Sequence, residues 1–174
     1  MCLEGGRAKY SQKLDADRLA LRDEVLGIMR EDYHPDVHRH FERMPDSAFH
    51  FRQAAHIVTQ VRTVRHFLQR EAETSDPFAS CIKWIDHTDK GYTELVLATR
   101  DKPLLLEKIC CALASEQINI LSADLFTRTD KIVVNIFRVC TTNFEPVSAA
   151  STRKRFLDTF EAILAADCYD PEKF

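Results

Sequence analysis

Near residue 75 the hydrophobic pattern of this chain changes its period, and that change limits the fold more than any other feature. Before it, apolar residues recur at helical spacing. Leu14, Leu21, Val25 and Ile28 stand three to seven residues apart with charges between them, which predicts an amphipathic helix over about 12–32. Pro35 suits the first position of a short second helix that carries Val37, Phe41 and Met44 inward. A longer helix follows through Ala54, Ile57, Val58, Val61, Val64 and Leu68, with Gln53, Gln60, Arg62, Arg65 and Gln69 on its polar face. The polar, proline-bearing "EAETSDPFAS" (71–80) reads as a linker.

Beyond residue 75 the period shortens to two. "CIKWIDH" (81–87) alternates around Ile82 and Trp84, "TDKG" is a turn, and "YTELVLAT" (92–99) is a second strand. A helix over about 103–117 places Leu105, Ile109, Ala112 and Leu113 on one stripe. "INILSADLFTRT" (118–129) and "KIVVNIFRVCT" (131–141) form a hairpin closed at Asp130. A last helix over 151–166, capped by Ser151, buries Phe156, Phe160, Ile163 and Leu164. The order β-β-α-β-β-α predicts an α+β, ferredoxin-like sandwich: an antiparallel sheet with helices on one face, preceded by a helical segment. The division expected is a helical linker over 1–74 and a sheet domain over 75–174.

Composition closes off several classes. At 174 residues with 45% hydrophobic content the chain can bury a core, and a net charge of −3 leaves no electrostatic footprint for nucleic acid. No apolar run approaches the ~20 residues of a membrane span. The N-terminal "MCLEGGRAKYSQKLDADRL" lacks the apolar segment of a signal peptide. Six cysteines fall in no paired spacing, so a reduced, cytoplasmic chain is expected.

Chemistry concentrates where "ATRDKPLLLEKI" (98–109) passes from strand to helix. A helix N-terminus offers unpaired N–H groups and a partial positive charge, a cradle for a carboxylate. Pro103 fits the first helical position. His34 and His38, four apart, form a rival signal for zinc with His40, although Pro35 makes His34 pre-helical, no HExxH follows, and no cysteine pair helps. Solvent-facing histidines are the simpler reading. Arg153-Lys154-Arg155 reads as a solvated basic face.

Together, "YTELVLATRDKPLLLEKICCALASEQINILSADLFTRTDKIVVNIFRV" resembles an ACT domain, the small-molecule sensing module of amino-acid metabolism. It is most similar to the first ACT domain of the bifunctional PII uridylyltransferase/uridylyl-removing enzymes. Thr93-Glu94, Asp101-Lys102-Pro103, Asn119-Ile120 and Phe126-Thr127-Arg128-Thr129-Asp130 carry the likeness. The upstream "HFERMPDSAFHF" and "AAHIVTQVRTVRHFL" are similar to that family's link between hydrolase and sensing domains, so the resemblance covers about 30–166.

The resemblance implies a regulatory amino-acid sensor, with glutamine the suspected ligand and no cofactor or metal. The ligand site would comprise Asp101, Lys102, Pro103, Leu104, Asn119 and Ile120. Asp101 would accept hydrogen bonds from the ligand's ammonium group. Leu104 departs from the glycine that many ACT domains carry there, and its side chain would crowd the ligand's approach. The plainer alternatives are that Asp101 fixes the turn, Leu104 is core, and Asn119 closes helix to strand. The family's catalytic domains have no counterpart in this sequence, so no catalysis by the chain itself is expected. Partners implied are those catalytic domains or PII protein, with a homodimer possible and neither nucleic acid nor membrane involved. A structural dimerisation module without ligand is the competing class, and Leu104 separates the two: a blocked turn favours structure, an open one sensing.

Overall fold

The helical half forms largely where its spacing places it, in a computed structural model that describes residues 3–50 and 52–166. Cys2, Cys168 and the "DCYDPEKF" tail, expected to be a poor strand, lie outside the described residues. Helix α1 (Leu3–Ile28) begins earlier than residue 12 and stops before residue 32. Its buried ridge is Leu21, Val25 and Met29, each four residues from the next. Ile28 precedes Met29 by one residue, hence lies ~100° round the helix, and is 54% exposed rather than inward. Helix α2 (His34–Arg43) carries Pro35 in its first turn and buries Val37 and Phe41, with Met44 buried just beyond. Helix α3 (Ala54–Thr74) buries Ile57, Val58, Val61, Val64 and Phe67. Gln60, expected on the polar face, is buried and hydrogen-bonds His40. The helix runs through Thr74 and ends on Ser75 in the left-handed region (φ 51°), so the linker begins later than residue 71.

Strands β1 (Ser80–His87) and β2 (Tyr92–Arg100) pair antiparallel from Ser80↔Thr99 to His87↔Tyr92 around the Thr88–Gly91 turn. Gly91 closes that turn at φ +72°, a conformation glycine adopts without a Cβ penalty. Helix α4 (Leu105–Ser115), strands β3 (Asn119–Thr127) and β4 (Ile132–Cys140), and helix α5 (Ala150–Ala165) follow. The sheet order is β1-β2-β4-β3, an α+β, ferredoxin-like arrangement. β1 takes the edge of β2 that a strand following α5 would fill in the usual β-α-β-β-α-β unit. The unit therefore closes its sheet from the N-terminal side.

The two helices of the sheet unit lie on one face, as expected, and the N-terminal helical segment covers the other. Helices α4 and α5 pack Ile109, Leu113, Phe156 and Phe160 against Leu95, Leu97 and Phe137. Trp84, half-buried in β1, meets the Phe156 ring edge-on at 5.5 Å. On the opposite face α3 packs Val61, Val64 and Phe67 against Ala98, Ile132 and Val134, and α1 and α2 complete that layer. The reason lies in β2, where Thr93–Thr99 are buried without a break, so neither face can be left in water. At α5 the N-cap is Ala149 with no side-chain hydrogen bond, so Ser151 does not cap it. No helix among the described residues is long and apolar enough to cross a membrane.

Candidate functional site

The strand-to-helix turn is built differently from its sequence expectation. Pro103 does not open α4: the helix begins at Leu105, and Leu104 is its N-cap. Leu104 adopts a left-handed conformation, φ 58° and ψ 21°, with no side-chain cap hydrogen bond. That conformation costs an L-residue roughly 1–2 kcal/mol. The backbone stays there because both sides of the turn are fixed. Asp101 N–H donates to Lys131 O at 2.9 Å, extending the β2–β4 pairing, while Leu105 N–H donates to Lys102 O at 3.2 Å. Leu104 is 59% exposed, so its side chain lies in solvent and not in the core.

Asp101 and Pro103 are also exposed. Lys102 is engaged elsewhere. Its Nζ donates to Pro77 O and sits 3.9 Å from the Phe78 ring centroid, and burial lowers its pKa. Asn119 is exposed, its Nδ2 donating to Thr141 O at 3.4 Å, and Ile120 is 40% exposed.

The structure keeps Asp101–Leu104 together and places Asn119 and Ile120 at the other end of the sheet. Arg100 pairs with Ile132 and Asn119 with Cys140, at the two ends of β4. At ~3.4 Å per residue those ends are roughly 27 Å apart. Within one chain the six residues therefore do not form a single cluster.

β3 is the free edge of the sheet and exposes Ile120, Leu121 and Leu125, and Leu104 and Leu106 are exposed on the neighbouring turn and helix. Val133 of β4 pairs with Thr99 of β2 and Thr127 of β3, so the Thr127 end of β3 and the Asp101–Leu104 turn share one end of the sheet. Antiparallel pairing of two β3 edges about a two-fold axis would carry Asn119 of one copy to that same end of the other.

The histidines do not assemble. His34 Nε2 lies 3.1 Å from Leu26 O and 3.2 Å from Met29 O, fastening α2 to the end of α1. His38 is exposed, and His40, expected in solvent, is fully buried. Among the described residues no three His, Cys, Asp or Glu side chains are grouped as metal ligands. The basic run splits: Arg153 donates to Asp86 and to Val147 O, whereas Arg155 reaches Glu116.

Sequence reasoning missed the clamp behind the turn. Arg100, assigned to the solvated strand edge, donates to both oxygens of Glu71 (2.7 and 2.6 Å) and to Asp130 O (3.1 Å), and lies over the Phe67 ring. Its hydrogen bonds hold the Glu71 carboxyl below the usual range. The turn is thereby tied to the C-terminal end of α3. No local signal in "LATR" reveals a partner 29 residues upstream.

No protein-family model matches this chain, and no curated protein matches it.

Proposed function

We propose that this chain is an amino-acid-sensing regulatory module, the ACT region of a PII uridylyltransferase/uridylyl-removing enzyme, with glutamine as its ligand and no catalysis of its own. The observation that carries this reading is Leu104. Its backbone takes the conformation that glycine would adopt most cheaply, and its side chain is exposed instead of packed in the core. Strain held at an exposed turn by its pinned neighbours is the kind found at ligand sites.

In this reading the ligand carboxylate sits at the N-terminus of α4 and its ammonium group at Asp101. A second copy, paired along β3, supplies Asn119 and Ile120. The signal passes through Arg100 to Glu71 and through Lys102 to Phe78, both of which bind the turn to α3 and its linker. α3 would lie between the sensor and catalytic domains placed before it. A dimerisation module without ligand is the second reading, favoured by the same exposed leucines on the β3 edge.

Glutamine titration separates the two. At a hundred times its dissociation constant a ligand adds ~2.7 kcal/mol, roughly 5–10 °C in melting temperature for a chain of this size. Asp101→Ala should abolish the shift while leaving the ligand-free melt unchanged. No shift at millimolar glutamine would leave the dimerisation reading standing.

A further inference from the structure

Beneath α2, on the face of the sheet away from α4 and α5, lies a cavity of about 270 Å³ that the amino-acid site does not use. Four guanidinium groups line it: Arg39 and Arg43 from α2, Arg100 from β2, and Arg128 from the β3–β4 hairpin. Only two carboxylates, Asp36 and Asp130, line it with them. Arg39 donates to Asp36 at 2.8 Å, while Arg43 (2.7 Å) and Arg128 (2.9 Å) share Asp130. Four charges against two leave the walls at +2, and counting Glu71, the partner of Arg100, still leaves +1.

The floor is costly to build without a ligand. The Arg128 side chain is 3% exposed, and burial, together with repulsion from Arg43 and Arg39, lowers its pKa. Arg128 binds both oxygens of Asp130 but shares that single carboxylate with Arg43, which leaves two cations on one anion. Beside it, His40 is fully buried and lines the same space. His40 Nε2 meets Gln60 Oε1 at 3.2 Å, and because a carbonyl oxygen only accepts, Nε2 carries the proton. Nδ1 is then a lone-pair acceptor. Among the described residues, it and Ser80 Oγ are the buried side-chain atoms with no hydrogen-bond partner.

Nδ1 is enclosed by protein and out of a ligand's reach, so the arginines supply the donors that face the space. We propose that this cavity is a binding site for a small oxyanion, inorganic phosphate, held by Arg39, Arg43 and Arg128. The volume suits a ligand smaller than the 300–1,000 Å³ typical of drug-sized sites. The mouth is open, since the side chains of Arg39, Arg43 and Arg100 are 50%, 37% and 38% exposed. Planar guanidinium forks match phosphate geometry.

The test is titration of the full chain with inorganic phosphate near neutral pH, read by calorimetry and by 31P NMR, beside sodium chloride at matched ionic strength. Saturable phosphate binding is expected, with none by chloride. Arg43→Gln and, independently, the more exposed Arg39→Gln should each weaken it about tenfold or more with far-UV circular dichroism unchanged. Absence of saturable phosphate binding overturns the site, and wild-type affinity in both arginine variants shows an adventitious ion only.

Discussion

His40 should make this protein lose stability in mild acid, and the size of the loss follows from its surroundings. Burial first and the Arg128 charge second lower its pKa from 6.5 to about 3, against the Gln60 hydrogen bond and the Asp130 charge, which raise it. Arg39 and Arg43 also line the space beside it, so the ring is surrounded mainly by cations. The folded state keeps the ring neutral, whereas the unfolded chain protonates it near pH 6.5. The unfolded state therefore binds the extra proton, and stability falls as pH drops below 6.5, levelling off near 3. Each pH unit costs ~1.4 kcal/mol. By about pH 4.5 the loss from this residue is roughly 3 kcal/mol, a large part of the ~5–15 kcal/mol that holds a domain together. Urea melts in phosphate-free buffer at about pH 7.5 and 4.5 measure it, with His40→Gln as the reference. The glutamine amide can still meet Gln60 but does not titrate, so its melt should shift by roughly 3 kcal/mol less over that window. Every other residue is common to the two proteins, so the difference between their shifts isolates His40. An equal shift in wild type and variant, or an NMR titration of the His40 ring near 6.5, would refute the reasoning.

Trp84→Ala should cost roughly 2–3 kcal/mol, under the 3–5 of a fully buried aromatic, because the indole is half-buried against Phe156 and beneath Arg153. As the one tryptophan of the chain, it should red-shift on unfolding, and a variant with the wild-type urea midpoint would show that β1 is a tether outside the core. Glu71→Gln removes one charge of a part-exposed pair and should cost about 1 kcal/mol or less. Its clearer readout is hydrogen exchange, which should quicken at the C-terminal end of α3. Unchanged exchange there would mean that Arg100 does not fasten the helix to the sheet.

Period was the legible part of this sequence. The shift from helical spacing to alternation separates α1–α3 from the sheet, and "TDKG" predicts the hairpin that lays β1 along β2. The apolar run of β2 carries a message too, since a strand buried on both sides needs two covering layers, here α4 and α5 on one face and the helical segment on the other. Burial of polar residues was not legible. Gln60 and His40 are hydrophilic by type, and each is tolerated inside because of a partner 20 residues away in the chain. Arg128 and Asp130 read locally as hairpin residues, while Arg43, 87 residues earlier, gives Asp130 a second charge partner beside Arg128. At the turn, Pro103 disfavours helix at Lys102. That explains why α4 does not reach back to 102, but nothing in a leucine announces a left-handed backbone. The pinned neighbours impose it.

Arg100 belongs to both sites, and that decides how they would influence each other. It ends β2, immediately precedes the ligand turn, lines the arginine cavity, and binds Glu71 of α3 and the Asp130 carbonyl. On the proposed reading, a carboxylate arriving at α4 would act on the backbone that carries this residue. An anion in the cavity would act on its guanidinium and compete with Glu71 for it. Both proposed ligands would therefore bear on the same contact, the one fastening the end of α3 to the sheet. Linkage makes the influence reciprocal: whatever factor the anion imposes on amino-acid affinity, the amino acid imposes on the anion. The sign depends on whether Arg100 stays with Glu71 when the cavity fills. With Arg39, Arg43 and Arg128 already supplying three cations there, the ionic pair to Glu71 at 2.6 Å is the contact that holds. α3 then stays fastened, and the anion stiffens the layer against which the turn closes.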